Sequence, residues 1–458
     1  MTEVDVAVIG GGVVGCAVAR ELAGFQLSLA LLEAGADVGE GPSKANTAIL
    51  HTGVDAVPGS LESELVARGY ALLSGYSAIT GIPVERTGAV LVAWTGADRD
   101  ALPGLRERAA KNGYDRCEIV GADAVYAMVP SLAEGVLGGL TVPDESIICP
   151  WTTTLAFATE AKQRGARLLF GHRVTGVRLE PETTVLCTEA GEVRARWVVN
   201  AAGLRGDVID EMYGFRRFTV VPRRGELLVF DKLARPRVNK IILPVPGAAG
   251  KGVLVSPTIY GNVLLGPTAE NLTDRDDTST SAGGLEFLLS KGHAIMPSLL
   301  EEEITASYAG LRAATDRHDY VVEIDRARRY LLLGGIRSTG LTASMALAEH
   351  ARGLLTGAGL ALKPRDDVPG PPGMPNIGEA RPRPYQRADW IAADPEYGTI
   401  VCFCERVSRG EIRDALASPV PPRDLDGLRR RTRACNGRCQ GFYCAATVSE
   451  LLLGSTPR

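Results

Sequence analysis

The chain has no unbroken apolar run of the roughly 18 residues a membrane-spanning helix needs, so no transmembrane segment is expected. It has little net charge: 50 Lys and Arg stand against 54 Asp and Glu, leaving −4, which gives no general field for nucleic acid. No leader is expected. Residues 6–19 have the length of a signal-peptide core, but acids precede them and glycines break them. A cytoplasmic protein is therefore expected, with peripheral attachment at the inner membrane face through a partner protein left open. Histidine is scarce, at five residues, and the nine cysteines are unevenly placed. Cys16, Cys117, Cys149 and Cys187 are scattered, while five lie between Cys402 and Cys444, a clustering that points to metal rather than disulfides. What remains is ordinary globular material, 458 residues at 45% hydrophobic and 23% charged, enough for roughly two to four domains.

Residues 4–33 organise the rest. An apolar strand pattern runs into Gly10-Gly11-Gly12, a helix of small and apolar residues follows, and a second apolar run ends on Glu33. Gly10 permits the tight turn, Gly12 lets backbone approach a pyrophosphate, and Gly15 lets helix and strand pack closely. The helix N-terminus offers free N–H groups to phosphate, and Glu33, 18 residues after Gly15, suits ribose hydroxyls. The pattern predicts a bound dinucleotide.

Further along, residues 41–53 (GPSKANTAILHTG) are small and polar, suited to close approach of a flat ligand, and include His51. Helices are expected over 60–81, 98–112, 154–163 and 341–355. Strands are expected over 84–92, 137–141, 167–170, 174–179, 196–203, 225–230, 253–256, 262–266, 307–312 and 330–335. Val174 starts a short strand that could set its backbone against an adenine. The segment GIRSTG at 335–340 joins a buried strand to a small-residue helix without a second Gly-x-Gly-x-x-Gly, so no NADPH domain is expected. Residues 363–385, rich in proline and glycine, read as a semi-rigid linker.

Taken together, Gly10 to Glu33, SKAN at 43–46 through His51, VNAAG at 199–203 and the segment 334–343 resemble the D-amino-acid-oxidase-like superfamily of FAD-dependent oxidoreductases. PRRGELLVFDK at 222–232 and the segment 257–268 are similar to the branch holding glycerol-3-phosphate and L-2-hydroxyglutarate dehydrogenases. The resemblance implies a mixed α/β and α+β architecture. A Rossmann-like FAD-binding domain would comprise 1–80, 151–215 and 325–362, and an antiparallel-sheet substrate domain 81–150 and 216–324. It implies FAD contacts from Gly10, Gly12, Gly15, Glu33, Ser43, Asn46, Thr47, Val174, Ala202, Gly203, Gly335, Ser338, Gly340, Leu341 and Thr342. By position, His51 would be the general base for an alcohol proton, a task for a neutral imidazole. Arg312 would pair with a substrate carboxylate or phosphate through its planar fork. Relatives usually follow that arginine with proline, where this chain has Ala313. Arg337, where relatives often carry another polar residue, would add a second anion contact. The ordinary alternative for both arginines is a surface or interdomain ion pair.

The tail has its own match. Cys402-x-Cys404 is followed after 34 residues by Cys439-x₄-Cys444 in TRACNGRCQGFYC. It resembles the bacterioferritin-associated-ferredoxin-like [2Fe-2S] domain, which implies a small helical Cys-rich domain over 396–458, beyond a linker at 363–395. Its ligands would be Cys402, Cys404, Cys439 and Cys444, with Cys435 spare where relatives often have glycine. A structural zinc site also accepts four cysteines and is the alternative. The expected function is oxidation of a small anionic alcohol by hydride transfer to FAD, with electrons leaving through the cluster to a quinone, via a membrane subunit, or to a redox protein. Glycerol 3-phosphate is the first substrate reading, and L-2-hydroxyglutarate or another 2-hydroxy acid the second. A non-catalytic flavin/iron–sulfur electron carrier is the alternative of another class. Homo- and hetero-oligomers both remain open.

Overall fold

A computed structural model describes residues 2–247 and 252–455. Val6, Ala7, Val8 and Ile9 are buried one after another on the central strand Thr2–Ile9, because parallel sheets are covered on both faces. Parallel to it run Leu29–Glu33 on one side and Gly191–Asn200 on the other. Arg167–Phe170 extends the sheet beyond Leu29–Glu33, and Tyr330–Gly334 pairs in parallel with the end of Gly191–Asn200. The start of that same strand pairs with an antiparallel hairpin, Val174–Leu179 with Thr184–Thr188. Helices Val13–Leu22, Pro150–Gln163 and Gly340–Ala358 help cover one face, and Ile209, Tyr213 and Phe218 lie on the other.

Local chemistry sets the helix ends. Leu61–Thr80 begins where the Ser60 hydroxyl accepts from the Ser63 N–H and stops at Gly81, whose φ of +78° is left-handed. The helix expected over 154–163 starts earlier, at Pro150, because proline suits a first helical position and the Cys149 sulfur accepts from the Thr152 N–H. The strand expected over 84–92 is broken in two, Val84–Glu85 and Ala89–Ala93, by Gly88 at φ +65°.

The second sheet runs in the order Glu270–Asn271, Val220–Phe230, Val263–Gly266, Leu254–Pro257, Ile241–Pro244, Ala89–Ala93, Gly138–Val142, Glu118–Val120. Ile304–Thr315 pairs along the length of Val220–Phe230. The neighbours are antiparallel apart from Ile241–Pro244 beside Ala89–Ala93, a parallel pair that makes the sheet mixed.

The stretch read as a linker is packed rather than free. The Met374 N–H donates to the Thr80 carbonyl and the Glu379 N–H to that of Ile259, while Ile377 is buried. Arg383 is fully buried among the tail elements, donating to the Glu405 carbonyl and the Glu411 carboxylate, so the small body begins to form before residue 396. That body consists of the short strands Ile400–Cys402 and Val407–Ser408 and the helices Arg409–Leu416, Leu425–Thr432 and Ala445–Ser455. Its core is small: Val407, Ile412, Leu428 and Val448 close around three cysteines.

Candidate functional site

The glycine turn has the geometry its residue types demand. Gly10 sits at φ +106°, and a Cβ there would lie 2.5 Å from the Ala201 carbonyl oxygen. A Cβ on Gly15 would run into the Gly10 carbonyl, so the helix can pack this tightly only with glycine. The helix Val13–Leu22 has no side-chain cap from Gly12, although Ser43 Oγ accepts from the Val13 N–H at 2.9 Å. The Glu33 carboxylate accepts from the N–H groups of Gly11 (2.6 Å) and Gly35 (2.7 Å), which locks it beside the turn. The result is a backbone cradle with an exposed helix dipole and a carboxylate beyond it, which fits a dinucleotide.

Around this cradle the other nominated residues take distinct positions. The His172 N–H, two residues before Val174, donates to the Glu33 carbonyl, so the hairpin's first strand starts beside the acid. The Ala202 N–H is held by Asn200 Oδ1, and Gly203 follows at φ +55°. The Asn46 side chain is used by its own loop: it donates to the Pro42 and Ser43 carbonyls and accepts from the Ala48 N–H. It shapes the bend and leaves Thr47 beside it half-buried. Gly335 is left-handed at φ +65°, and a Cβ on Gly340 would lie 2.8 Å from Ile336, so the 335–340 turn is compact. Ser338 is exposed, whereas Leu341 and Thr342 are buried.

His51 and Arg312 approach the cradle from different elements. The His51 N–H donates to Thr342 Oγ1 at 3.0 Å, tying its loop to the start of helix Gly340–Ala358. Its Nδ1 lies 3.4 Å from Glu145 Oε2. Glu145 is 1% exposed, and its Oε1 accepts from both the N–H and the hydroxyl of Thr52 at 2.9 Å. On the second sheet, Arg223 pairs with Arg312, Gly225 with Gly310 and Leu227 with Tyr308, so these side-chain positions share one face. Gly310 lets that face approach the cradle loop, since a Cβ would strike the Ala45 carbonyl, and the Tyr308 hydroxyl donates to the Asn46 carbonyl at 2.9 Å. Arg312 Nη2 fits over Gly225 and donates to the Thr268 carbonyl at 2.5 Å. Burial, and then the like charge of Arg223, push the Arg312 guanidinium below its ordinary value. Among the described residues neither arginine is in an ion pair.

Arg337 is placed differently. Its guanidinium donates to Glu62 Oε2 and to the His318 carbonyl, both at 2.9 Å, and Glu62 also accepts from the Thr339 hydroxyl. The expected second anion contact is thus engaged in the ordinary alternative, an ion pair pinning the 335–340 turn to helix Leu61–Thr80. Sequence reasoning also passed over Glu145, Tyr308 and Arg223. Only Glu145 carried a signal, as an acid opening the fully buried strand Ser146–Ile148.

In the small body the five thiols converge in two contact groups. Cys444 touches Cys435, at 3.5 Å between sulfurs, and Cys402; Cys404 touches Cys439. Among the described residues no three acid, histidine or cysteine side chains form a ready single-metal cage. Pairs Cys402/Cys444 and Cys404/Cys439 instead fit a two-iron cluster bound by four thiolates. The Tyr443 N–H above all, helped by those of Gly441 and Phe442, holds the Cys439 thiol below its ordinary value, as suits a thiolate ligand. Cys435 is buried at φ +64°, a conformation that favours glycine.

The whole chain has known counterparts. The FAD-dependent oxidoreductase (DAO) model matches residues 5–354. The chain belongs to that family. The BFD-like [2Fe-2S] binding domain matches residues 400–453, which removes the zinc alternative. A glycerol 3-phosphate dehydrogenase of Caloramator mitchellensis is 33% identical over 451 residues, 98% of this chain and 93% of the relative. The anaerobic glycerol-3-phosphate dehydrogenase of Escherichia coli K12 contributes one of its subunits as a second relative, 28% identical over 98% of this chain and 88% of its own. The dithionite-reduced L-α-glycerophosphate oxidase of Mycoplasma pneumoniae with FAD bound superposes with a TM-score of 0.78 at 26% identity, covering 82% of this chain and 100% of that one. The protein is an FAD-dependent oxidoreductase with a [2Fe-2S] tail, and no helix among the described residues is long and apolar enough to cross a membrane.

Proposed function

We propose that this protein oxidises sn-glycerol 3-phosphate to dihydroxyacetone phosphate. The observation that carries the reading is the match of both bodies, family domain and cysteine tail together, to a glycerol 3-phosphate dehydrogenase along nearly its full length. The geometry supports it. Arg312, half-buried and without a carboxylate partner among the described residues, offers a fork to a phosphate, and Arg223 stands beside it in the strand pairing. His51 takes the hydroxyl proton at Nε2 while Nδ1 faces Glu145. Gly10, Gly12, Gly15 and Glu33 would hold the FAD pyrophosphate and ribose, with the 42–47 loop, Ala202–Gly203 and the 335–342 turn around the ring system and Val174 near the adenine. Cys402, Cys404, Cys439 and Cys444 would hold the cluster. When bound, FAD supplies hydride acceptance and the cluster one-electron transfer. The division into FAD-binding, substrate and cluster domains at the boundaries expected from the sequence belongs to this reading.

The electron acceptor is an external partner, either a quinone-linked membrane protein or a soluble redox protein, and the chain is peripheral to the membrane in the first case. Support comes from the Escherichia coli relative, which is named as one part of a larger enzyme. It comes also from Phe403, Phe442 and Tyr443, which lie between the cluster cysteines and are 73%, 83% and 77% exposed.

Anaerobic flavin bleaching under a substrate panel tests the reading. Glycerol 3-phosphate should bleach the flavin fastest. Preference for L-2-hydroxyglutarate or an amine would overturn the substrate, and bleaching by none would favour an electron carrier. Cys439→Ser should lose the cluster's visible absorbance and Cys435→Gly should keep it; the reverse pattern would reassign the ligands.

A further inference from the structure

Glu145 lies 94 residues from His51 in sequence and has no part in the expected site, yet the fold aims it at the imidazole. One carboxylate oxygen is immobilised by the N–H and hydroxyl of Thr52, the residue next to His51. The other, Oε2, is buried with no hydrogen-bond partner and faces His51 Nδ1 at 3.4 Å. A buried carboxylate oxygen left unpaired is costly, so a structural role alone does not account for it. The separation is slightly longer than a formed hydrogen bond, and such contacts tighten when substrate closes a site.

From this arrangement we infer that Glu145 is the positioning residue for His51, holding the imidazole with its proton on Nδ1 and its Nε2 lone pair toward the substrate. The inference rests on the reading of His51 as proton acceptor. When the substrate O–H bond breaks, the proton forms the new Nε2–H bond, and the hydride leaves carbon for the FAD that the family carries. The imidazole then bears a positive charge beside the Glu145 carboxylate, which stabilises it. Thr52 fixes the carboxylate, and Thr342 fixes the His51 backbone through its N–H, so the pair is braced from two elements.

Glu145→Gln is the decisive variant. It keeps the shape and the Thr52 contacts but presents an amide N–H to Nδ1, which forces the imidazole proton onto Nε2. The rate of anaerobic flavin reduction at saturating substrate should fall about 100-fold, with KM changed less than about threefold. FAD retention and melting temperature should stay near wild type. Histidine ¹⁵N NMR of the holoenzyme, with His51→Gln identifying the resonance among five histidines, should show the tautomer switch from Nδ1–H to Nε2–H. Glu145→Asp should recover part of the rate. The double variant should be no slower than His51→Gln alone, as for residues acting as a unit.

Failure can be assigned. If His51→Gln reduces flavin at the wild-type rate, the proton-acceptor reading is wrong and this inference falls with it. If His51→Gln is slow while Glu145→Gln keeps both rate and tautomer, the inference alone is overturned.

Discussion

Arg312 and Arg337 were nominated by the same reasoning and end in opposite circumstances. Arg312 lies on a sheet face where Arg223 stands opposite it and its other neighbours are Gly225 and Gly310, so no carboxylate in the pairing neutralises it. Arg337 lies in a turn against a helix whose first turn carries Glu62, and is neutralised at 2.9 Å. The lesson is that a guanidinium is available to a ligand only where the fold withholds a carboxylate. The cluster body shows the other extreme. Arg430 and Arg431, both buried, meet Asp37 at 2.9 and 2.5 Å, and Asp37 lies in the loop just after the cofactor turn. That loop is held to the turn, since the Gly39 N–H donates to the Gly11 carbonyl.

These differences set an order of expected effects. Arg312→Ala should be the most damaging, because a substrate anion would lose its charge-assisted partner. We expect about 2–5 kcal/mol, or roughly 30- to several-thousand-fold, in kcat/KM, with FAD still bound. A loss under threefold in steady-state kinetics would erase the contrast with Arg337. Asp37→Asn should come next, leaving buried Arg431 without a counter-charge and Arg430 with only Glu40, at 3.8 Å. Breaking a buried pair costs about 3–5 kcal/mol, to be read as earlier denaturant unfolding of the tail and greater proteolysis between the two bodies.

Acid should act on the same contact. Burial would raise the Asp37 carboxyl, but the hydrogen bond and charge of Arg431, then the charge of Arg430, hold it below its ordinary value. Its stabilisation is therefore fully present above the unfolded value of about 3.9 and is lost as pH falls through the lower folded value. Acid titration followed by limited proteolysis should show release below about pH 4, and Asp37→Asn should flatten that dependence. Arg337→Ala should have the smallest effect. Its pair with Glu62 is partly exposed, so about 0–1 kcal/mol in stability and a KM change under threefold are expected. A tenfold rise in KM would return Arg337 to the substrate site.

Much of the scaffold was legible because its causes are local. The cap at Ser60, the left-handed stop at Gly81 and the crowding at Gly10 and Gly15 involve neighbours or one packed strand, and residue type alone announces them. The break at Gly88 and the helix start at Pro150 are equally local. The packed state of residues 363–383 was not legible. Proline and glycine describe backbone stiffness, while Arg383, Ile377 and Met374 are held by partners far away in sequence.

By itself, the sequence determined a dinucleotide turn on the large body, from glycines at a spacing that suits one, and a thiol-rich metal site on the small body, whose four cysteines left iron–sulfur and zinc both open. Tertiary structure alone decided which charges stand free and which are paired. Glu145 reaches His51, Glu62 occupies Arg337 and Asp37 receives Arg430 and Arg431 only because distant strands and helices pack against one another. Steric rules act within a few residues, whereas electrostatic partners are set by three-dimensional proximity, which local pattern does not encode.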